Sequence, residues 1–368
     1  MTSSDRIKIL YLIPSCKFGG VPINLLELVK RMDKKEFHIE LVAPNDGIIF
    51  NKFAEVINVH NIRIRGFYPS SLFYIRRLIR EEHFDIIHAR GKGAGIYARL
   101  ACFGHNSKIV YGYQGFHCSH YSKFKRIVYL IMEKLFLKWT DRIICVSEGE
   151  KKEALKAGVL TERKAIVLPN GINIEIFKSK KERKGYIIGT LSRISIQKGL
   201  EYLIQAVADL KKEYPNLICF IAGGTQKDEI VRERKLKNMV KTLKMEKIIK
   251  FIGEMSDVPS FLNKIDLYVS SSLWEGLPTA ILEAFAAKVP VVATNVTGND
   301  ELVINGKTGL LVRPKDIQSL TQGIDFAFKH RDKMKQLSEK AFNLVNHKYS
   351  IKSMVDNHEL LYRNLLKR

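Results

Sequence analysis

Residues 168–193, LPNGINIEIFKSKKERKGYIIGTLSR, decide the fold of this chain. The turn sequence PNG interrupts an alternation of strands and helices, a Lys-rich stretch of linker composition follows, and GYIIGTLSR starts a new buried strand. The 368-residue chain is therefore predicted to contain two domains. We place these domains at residues 1–177 and 178–345, followed by a terminal segment at 346–368.

Strand-like and helix-like patterns alternate on both sides of this linker. Apolar runs such as KILYLIPS (8–15) and FDIIHAR (84–90) precede it, and NLICFIAGG (216–224) and DLYVSSS (266–272) follow it. This order predicts right-handed crossovers and parallel sheets that are covered by helices on both faces. The predicted fold class is α/β, with two doubly wound domains that bind ligands at the carboxyl ends of their strands.

Composition restricts the location of the protein. The apolar and charged fractions, 46% and 27%, are those of an ordinary globular chain. Five cysteines without a CxxC pair predict reduced, mostly buried thiols and a cytoplasmic location. Pro14 interrupts the first apolar run, which we interpret as a core strand rather than a signal peptide. No stretch has the length and apolar character of a membrane span.

The formal net charge of +23 is spread over both halves of the chain. It favours an anionic partner, either nucleic acid, a phosphate-bearing substrate or an acidic lipid surface, although a solvated lysine-rich surface explains it equally well. The absence of GxxxxGK[ST] argues against an ATPase. The chain also has no Asp-x-Asp triplet of the kind that holds a divalent metal on a nucleotide diphosphate.

The stretch EGLPTAILE (275–283) places two glutamates eight positions apart. Pro278 fits the first turn of a helix, so Glu275 and Gly276 are expected in the loop and Glu283 about one and a half turns inside the helix. The free N–H groups of the helix start suit a phosphate, and Gly276 allows close backbone approach. Glu275 is then expected to meet a sugar attached to that phosphate, and Glu283 to accept hydrogen bonds from ribose hydroxyls.

The longer stretch SSSLWEGLPTAILEAFAAKVPVVAT (270–294) resembles the glutamate, seven residues, glutamate motif of glycosyltransferase family 4, and the resemblance extends nearly end to end. It implies a GT-B fold, in which two Rossmann-like domains face a central cleft and a C-terminal helix returns to the N-terminal domain. It also implies retaining transfer of a hexose or N-acetylhexosamine from a nucleotide diphosphate sugar to a lipid-linked glycan. A UDP-sugar is the favoured donor, with no cofactor or metal.

The resemblance also assigns donor-binding residues. IGTLSRISIQKGLEYLIQA (188–206) looks like the family segment that carries an Arg and a Lys for the donor diphosphate, although spacing alone is more typical of a solvated loop. FGGVPINLLELVKRM (18–32) is similar to the family's N-terminal glycine loop. The donor-binding residues implied are Gly19, Gly20, Arg193, Lys198, Gly276, Leu277, Pro278, Thr279 and Glu283.

A third family segment departs from its usual form. VYGYQGFHCSHYSKF (110–124) resembles the stretch in which many members place a His-Gly pair beside the sugar, but here Gln114 occupies the first position and His117 aligns with a second histidine. Gln114 can hydrogen-bond a hydroxyl but cannot carry a proton. The predicted catalytic residues are Glu275, His117 and Gln114, with a packed or capping role open for His117. His120 is assigned to the surface.

Two further stretches allow competing interpretations. Glycines in HARGKGAGIYARL (88–100) superficially match a dinucleotide fingerprint, but tight strand-to-helix packing explains them more simply, and His88 is expected to be buried there. SHYSKFKRIVYLIMEKLFLKW (119–139) mixes cations and aromatic residues ahead of an apolar helical pattern. It is typical of a helix that faces an anionic membrane, or of an ordinary core helix with a solvated face.

The expected protein is therefore a cytoplasmic enzyme at the inner face of the cell membrane, with no nucleic-acid partner. The alternatives left open are a basic nucleic-acid-binding protein, a related sugar-nucleotide epimerase and an inactive membrane-bound scaffold. Against nucleic-acid binding, the Lys and Arg residues are scattered and no nucleic-acid module is recognisable.

Overall fold

The computed structural model describes residues 6–17, 19–116, 122–177, 185–225, 229–255 and 257–367. The chain forms two compact units. The N-terminal unit comprises Met1–Gly171 and Ile351–Arg368, and the C-terminal unit comprises Ile172–Ser350. The first boundary thus falls at the PNG turn, six residues earlier than the linker composition suggests.

The N-terminal unit is built on a seven-stranded parallel sheet in the order β3-β2-β1-β4-β5-β6-β7. Its strands are β1 (Ile7–Leu12), β2 (Phe37–Ala43), β3 (Asn58–Asn61), β4 (Ile86–Arg90), β5 (Lys108–Gly112), β6 (Arg142–Cys145) and β7 (Ala165–Val167). Its first six helices are α1 (Gly20–Arg31), α2 (Ile49–Ala54), α3 (Pro69–Glu82), α4 (Lys92–Ala101), α5 (Lys123–Leu137) and α6 (Glu148–Lys156).

The C-terminal unit repeats this plan with a six-stranded parallel sheet in the order β10-β9-β8-β11-β12-β13. Its strands are β8 (Ile187–Leu191), β9 (Ile218–Ala222), β10 (Ile249–Gly253), β11 (Leu267–Ser270), β12 (Val291–Thr294) and β13 (Leu310–Val312). Its α-helices are α7 (Leu200–Leu210), α8 (Ile230–Thr242), α9 (Val258–Lys264), α10 (Thr279–Ala286), α11 (Asn299–Leu302), α12 (Ile317–Lys329) and α13 (Arg331–Lys348).

Both sheets are doubly wound, which confirms the predicted α/β class. Central strands are buried on both faces and so consist of nearly continuous apolar runs, such as Leu267–Ser270, rather than alternating ones. The strand order reverses between β1 and β4 in one unit and between β8 and β11 in the other. Ligands of open parallel sheets bind outside the carboxyl ends of the strands at such a reversal.

The last helix, α14 (Ile351–Leu366), belongs to the N-terminal unit, as the family resemblance implies. Tyr362 reaches into the sheet, where its hydroxyl lies 2.7 Å from His88 Nδ1 and also contacts the Tyr11 hydroxyl. Burial lowers the pKa of His88 well below its usual range and that of His358 to about 3, so both rings are neutral at pH 7. At the surface, Arg363 contacts both carboxylate oxygens of Glu36.

Tight packing explains the glycines that superficially match a dinucleotide fingerprint. A Cβ on Gly95 in α4 would lie 2.5 Å from the Tyr111 ring in β5, so only glycine allows this helix to approach the strand so closely. His88 is buried in β4, as expected. Four cysteines lie in the described residues, and all are buried and free: Cys16, Cys102, Cys145 and Cys219.

No helix in the described residues has the length and apolar character needed to cross a membrane.

Candidate functional site

The candidate site of the C-terminal unit lies where its strand order reverses. β8 ends at Leu191 and leads through a loop into a short 3-10 helix at Ile196–Lys198, while β11 ends at Ser270 and leads into the loop that holds Glu275. The backbone N–H of Leu273 donates to the carbonyl of Gln197 at 2.7 Å. This bond joins the two loops, so residues 76 positions apart in sequence share one site.

Glu275 is the central group of this site. It is 5% exposed and accepts three hydrogen bonds. Oε1 accepts from Lys198 Nζ at 2.6 Å and from Ser272 Oγ at 2.7 Å, and Oε2 accepts from Gln197 Nε2 at 3.2 Å. Because a carboxylate offers about four acceptor positions, one position remains on Oε2 for a ligand hydroxyl. The structure thus places Lys198, one of the predicted donor-binding residues, beside Glu275.

Two glycines allow the loops to meet. Gly199 has φ +53°, and a Cβ there would lie 2.4 Å from the Ser271 carbonyl oxygen. Gly298 has φ +87°, and its Cβ would lie 2.5 Å from the Gly276 carbonyl oxygen. A side chain at either position would be strained by its backbone and would push the glutamate loop out of place.

The loop is also braced from β12 and α11. Thr294 Oγ1 donates to the Ser272 carbonyl at 2.5 Å, and Asn299 Nδ2 donates to the Thr294 carbonyl at 2.9 Å. Asn299 and Thr294 are both buried. The position of Glu275 therefore depends on four segments of the C-terminal unit, which is the kind of support that a precisely oriented group requires.

Helix α10 begins at Thr279, one residue later than Pro278 suggests. Pro278 is the N-cap residue, with extended backbone at φ −75° and ψ 100°, because residues at that position are not yet helical. Its carbonyl accepts from Ile281 at 3.0 Å, so the N–H groups of Thr279 and Ala280 have no helical acceptor. Gly276, Leu277 and Pro278 form the approach to this helix start, as expected.

Glu283 lies in the fifth position of α10 and is partly buried. Burial raises the pKa of this carboxyl to about 7, and no charged or hydrogen-bonding neighbour in the described residues opposes that shift. A carboxyl in this state has unused acceptor capacity and is ready for a hydroxyl-bearing ligand.

Arg193 follows β8 by two residues and is exposed. Its guanidinium has no ion-pair partner within the described ranges. The polypeptide at this point is fixed by β9, because the Ser192 N–H donates to the Ala222 carbonyl at 2.7 Å. Arg193 is thus a cation on a fixed backbone with its charge available to a ligand.

The corresponding reversal in the N-terminal unit contains Gly19, Gly20 and a buried cation that the sequence does not reveal. Gly19 and Gly20 lie between β1 and α1, and Gly20 is the first residue of that helix. Arg90 ends β4 and is 2% exposed. Arg90 Nη2 donates to Asn24 Oδ1 and to Asn170 Oδ1, both at 3.1 Å.

Gln114 is attached to the same cation. With its carboxamide oriented to match its neighbours, the Gln114 oxygen accepts from Arg90 Nη2 at 3.1 Å and from Arg90 Nε at 3.2 Å. This leaves the Gln114 amide N–H groups directed away from Arg90. Gln114 itself has φ +55°, a left-handed conformation that is uncommon outside glycine. Its predicted catalytic partner His117, like His120, lies outside the described residues.

A buried glutamate holds the Gln114 loop. Glu150 accepts from the N–H groups of Gly115 and Phe116, both at 2.6 Å, and of Val146 at 2.7 Å. Burial raises the pKa of this carboxyl to about 7, although these three hydrogen bonds act in the opposite direction. Sequence analysis missed Glu150 because the surrounding EGEKKEALK reads as a solvated helix.

Two family models match the chain and show the family to which it belongs. One described as Glycosyltransferase Family 4 matches residues 18–176, and one described as Glycosyl transferases group 1 matches residues 172–344. The chain belongs to glycosyltransferase family 4. Together the two matches include every donor-binding and catalytic residue assigned from the sequence, although neither match tests the individual roles.

Relatives of this family 4 glycosyltransferase are similar over most of their length. The UDP-Gal:alpha-D-GlcNAc-diphosphoundecaprenol alpha-1,3-galactosyltransferase of Escherichia coli is 26% identical over 346 residues, which cover 88% of each chain. The capsular polysaccharide biosynthesis glycosyltransferase CapM of Staphylococcus aureus is 26% identical over 380 residues, which cover 98% of each chain.

Among solved structures, Anabaena HepE in complex with UDP and glucose matches with a TM-score of 0.87 at 22% identity, covering 98% of this chain and all of that one. At this identity the likeness shows the fold alone, and that fold is the predicted GT-B fold.

Proposed function

We propose that this family 4 glycosyltransferase transfers a hexose or N-acetylhexosamine, with retention of configuration, from a nucleotide diphosphate sugar to a lipid-linked glycan during surface-polysaccharide synthesis. The observation that carries the proposal is the position of Glu275, held by Lys198, Gln197 and Ser272 at the strand reversal of the C-terminal unit. The activities for which the Escherichia coli and Staphylococcus aureus relatives are named support the donor, acceptor and pathway class.

The diphosphate is proposed to bind between Lys198, Arg193 and the start of α10. The Lys198 ammonium has three N–H donors and uses one on Glu275, which leaves two for phosphate oxygens. Arg193 supplies a guanidinium that suits bidentate phosphate contacts. The free N–H groups of Thr279 and Ala280 add the positive end of a helix. These fixed charges would stabilise the leaving diphosphate as its negative charge grows.

Glu275 and Glu283 are proposed to bind the two sugars of the donor. The free acceptor position on Glu275 Oε2 would orient a hydroxyl of the transferred sugar. Glu283 would accept from the ribose hydroxyls. Glu275 is a positioning residue rather than a covalent nucleophile in this proposal, because its Oε1 is already engaged by Lys198 and Ser272.

The proposed transfer occurs on one face of the sugar. The acceptor hydroxyl oxygen bonds to the anomeric carbon as the bond from that carbon to the phosphate oxygen breaks, through an oxocarbenium-like state. The acceptor proton passes to the leaving phosphate oxygen, so no protein base is needed. This fits Gln114, which replaces the family's histidine and cannot carry a proton. No metal is required in this proposal.

The N-terminal unit is proposed to bind the acceptor, with Gln114 donating to a hydroxyl or phosphate. Arg90 fixes the Gln114 oxygen, and Glu150 fixes the backbone on its C-terminal side. The roles of Gly19 and Gly20 toward the donor and of His117 stay predictions from the family resemblance. Action on a lipid-linked acceptor would bring the enzyme to the inner membrane surface.

A panel of nucleotide sugars tests this function. The proposal predicts that one donor, most simply a UDP-sugar, raises the melting temperature in the presence of EDTA, since a ligand at 100 times its dissociation constant adds about 2.7 kcal/mol of stability. It also predicts release of the nucleoside diphosphate when an undecaprenyl-diphosphate-linked sugar is added. Epimerised donor without transfer, or salt-sensitive nucleic-acid binding without turnover, would contradict it.

A further inference from the structure

Helix α5 buries Tyr129 and Phe136 on its inner face, but it also carries a second set of apolar residues that supporting the sheet does not require. Five apolar side chains, each at least half exposed, follow one another at helical spacing along its outer face: Phe124, Ile127, Val128, Ile131 and Leu135. The inner face contains Glu133, which pairs with Arg99 at 3.0 Å, and both side chains are almost completely buried. A charge is thus inside and an apolar row is outside.

This apolar row is bordered by cations. Lys123, Lys134 and Lys138 are exposed and lie along one side of the row, and Lys125 lies on the other side. Monomeric proteins rarely expose a continuous apolar strip, and a strip with basic borders is the pattern of helices that lie in the interfacial layer of a membrane.

A basic depression adjoins the C-terminal end of α5. Trp139 stands edge-to-face against Phe103 with ring centroids 5.2 Å apart, and both rings are exposed. They line a depression at the amino ends of β5 and β6 that contains six cations and a single acidic side chain, Asp141. Arg99 is paired with the buried Glu133, and the other five cations are Lys108, Lys138, Arg142, Arg163 and Lys164.

The depression and the helix end are built as one structure. Lys164 Nζ donates to the carbonyls of Leu137 and Thr140 at 2.6 and 2.7 Å and so closes the last turn of α5. Lys108 pairs with the Asp141 carboxylate at 3.4 Å, whereas Arg142 donates to the Asp141 backbone carbonyl, so a clear excess of positive charge remains. Lys138 and Arg163 are exposed at its margin.

We propose that this surface, the α5 row together with Phe103, Trp139 and the basic depression, docks on an anionic phospholipid bilayer. The apolar row enters the interfacial layer, the two aromatic rings lie at headgroup level, and the depression takes the phosphate of an anionic lipid headgroup. Charge complementarity selects this occupant, because five cations besides the paired Arg99 face one acid beside an apolar row. This inference deepens the proposed function and rests on it only in assuming a lipid-linked acceptor. Docking on the bilayer does not require the nucleotide sugar donor.

Flotation with vesicles tests the docking surface on the full chain. Vesicles of phosphatidylcholine and phosphatidylglycerol are expected to carry the protein, vesicles of phosphatidylcholine alone to carry little, and salt to weaken the binding. Equal binding to both, or binding to neither, overturns the proposal. Stabilisation by nucleotide sugars is measured on the same samples, so a failed docking surface is distinguished from a failed donor site.

Matched apolar variants locate the contact. Phe124 in α5 and Val231 in α8 are both 77% exposed. Phe124→Asp is expected to lower the vesicle partition coefficient by about tenfold or more, while Val231→Asp leaves it unchanged. Equal losses for the two variants overturn the proposal. If instead the wild-type chain is a dimer in sedimentation and Phe124→Asp makes it monomeric, the row belongs to a second copy and the proposal fails.

Matched charge variants test the depression. Lys138→Gln and Arg163→Gln are each expected to weaken binding to anionic vesicles by about fivefold, while Lys212→Gln, on an exposed lysine of the C-terminal unit, has little effect. Inorganic phosphate and glycerol phosphate separate lipid from free phosphate. If these soluble anions bind the depression as strongly as anionic vesicles do, its ligand is not a lipid and the proposal is overturned.

Discussion

The two sheet reversals share a topology but use their charged side chains differently. In the N-terminal unit, Arg90 is 2% exposed and binds the side-chain amide oxygens of Asn24 in α1 and of Asn170 and Gln114 in two loops. In the C-terminal unit, Arg193 is exposed, and the Lys198 ammonium uses one N–H on Glu275. A buried cation braces loops, whereas an accessible one remains for a ligand. The comparison predicts that variants at the N-terminal reversal mainly change folding stability. Variants at the C-terminal reversal should mainly change donor binding and sugar transfer.

The largest effect is expected at Glu275. Glu275→Ala should lower transfer by about 10²- to 10³-fold, the usual cost of losing a group that stabilises the transition state. Glu275→Gln keeps the size of the side chain but removes its charge, and it should lower transfer by a similar factor. Initial rates with a lipid-linked acceptor measure this, with circular dichroism as the control for folding. A folded Glu275→Ala enzyme within tenfold of wild type would show that Glu275 has no role toward the sugar.

Next in size is the loss of Glu150. Glu150→Ala leaves the N–H groups of Gly115, Phe116 and Val146 without their acceptor and should destabilise the chain by about 3 kcal/mol or more. Denaturant unfolding measures the change. Glu153→Ala, on an exposed acid of the same helix, should stay within about 0.5 kcal/mol. Similar losses for the two variants would mean that Glu150 does not hold the loop.

Glu283 links stability and function through pH. Unfolded, it ionises near its ordinary pKa of 4.5, and folded near 7, so the native state binds the extra proton between these values. The Glu283 contribution to stability therefore falls as pH rises from 4.5 to 7 and stays low above 7. Glu283→Gln should consequently raise stability at pH 8 by up to about 3 kcal/mol and leave it unchanged near pH 4.5.

The same substitution should weaken donor binding, because an amide accepts ribose hydroxyls less well than a carboxylate. Thermal unfolding at both pH values and donor titration at pH 8 measure these opposite effects. Glu246→Gln, on an exposed glutamate of the same unit, should change neither. If Glu283→Gln left donor affinity intact, Glu283 would be a structural residue only.

The smallest effect is expected at Arg193. Arg193→Ala removes one charge-assisted contact and should raise the donor dissociation constant by about tenfold, while stability stays within about 0.5 kcal/mol. Calorimetric titration with the donor measures the dissociation constant. Arg234→Ala, on an exposed arginine of α8, serves as control. Unchanged donor affinity would remove Arg193 from the proposed diphosphate site.

The two sheets can be predicted from the sequence, because buried parallel strands consist of apolar runs separated by turn residues. Sequence reasoning also predicts Glu275 and Gly276 from their position at a helix start together with the family resemblance, and Lys198 from the resemblance. It misses Arg90 and Glu150. A charged residue within a strand or helix pattern is normally interpreted as solvent-exposed. Its burial depends on partners that are distant in sequence, such as Asn24 and Asn170 for Arg90. The position of Arg90, last in an apolar strand, is the one local signal.

The supports of Glu275 were missed for a related reason. Gln197 and Ser272 stand inside quoted motifs, but polar residues in loops have many possible uses, and only the joined loops show that both donate to one carboxylate. The membrane-facing interpretation of residues 119–139 stays a prediction, which the exposed row of α5 now makes specific.

The central claim is that fixed cations and a helix start hold the donor diphosphate without metal while Glu275 faces the transferred sugar. The most direct measurement is a crystal structure of the full chain with an unreactive fluorinated donor analogue, grown in EDTA. The account predicts phosphate oxygens within hydrogen-bonding distance of Lys198 Nζ and Arg193, and a sugar hydroxyl on Glu275 Oε2. A diphosphate bound away from Lys198, or a donor that binds only when magnesium is restored, would contradict it.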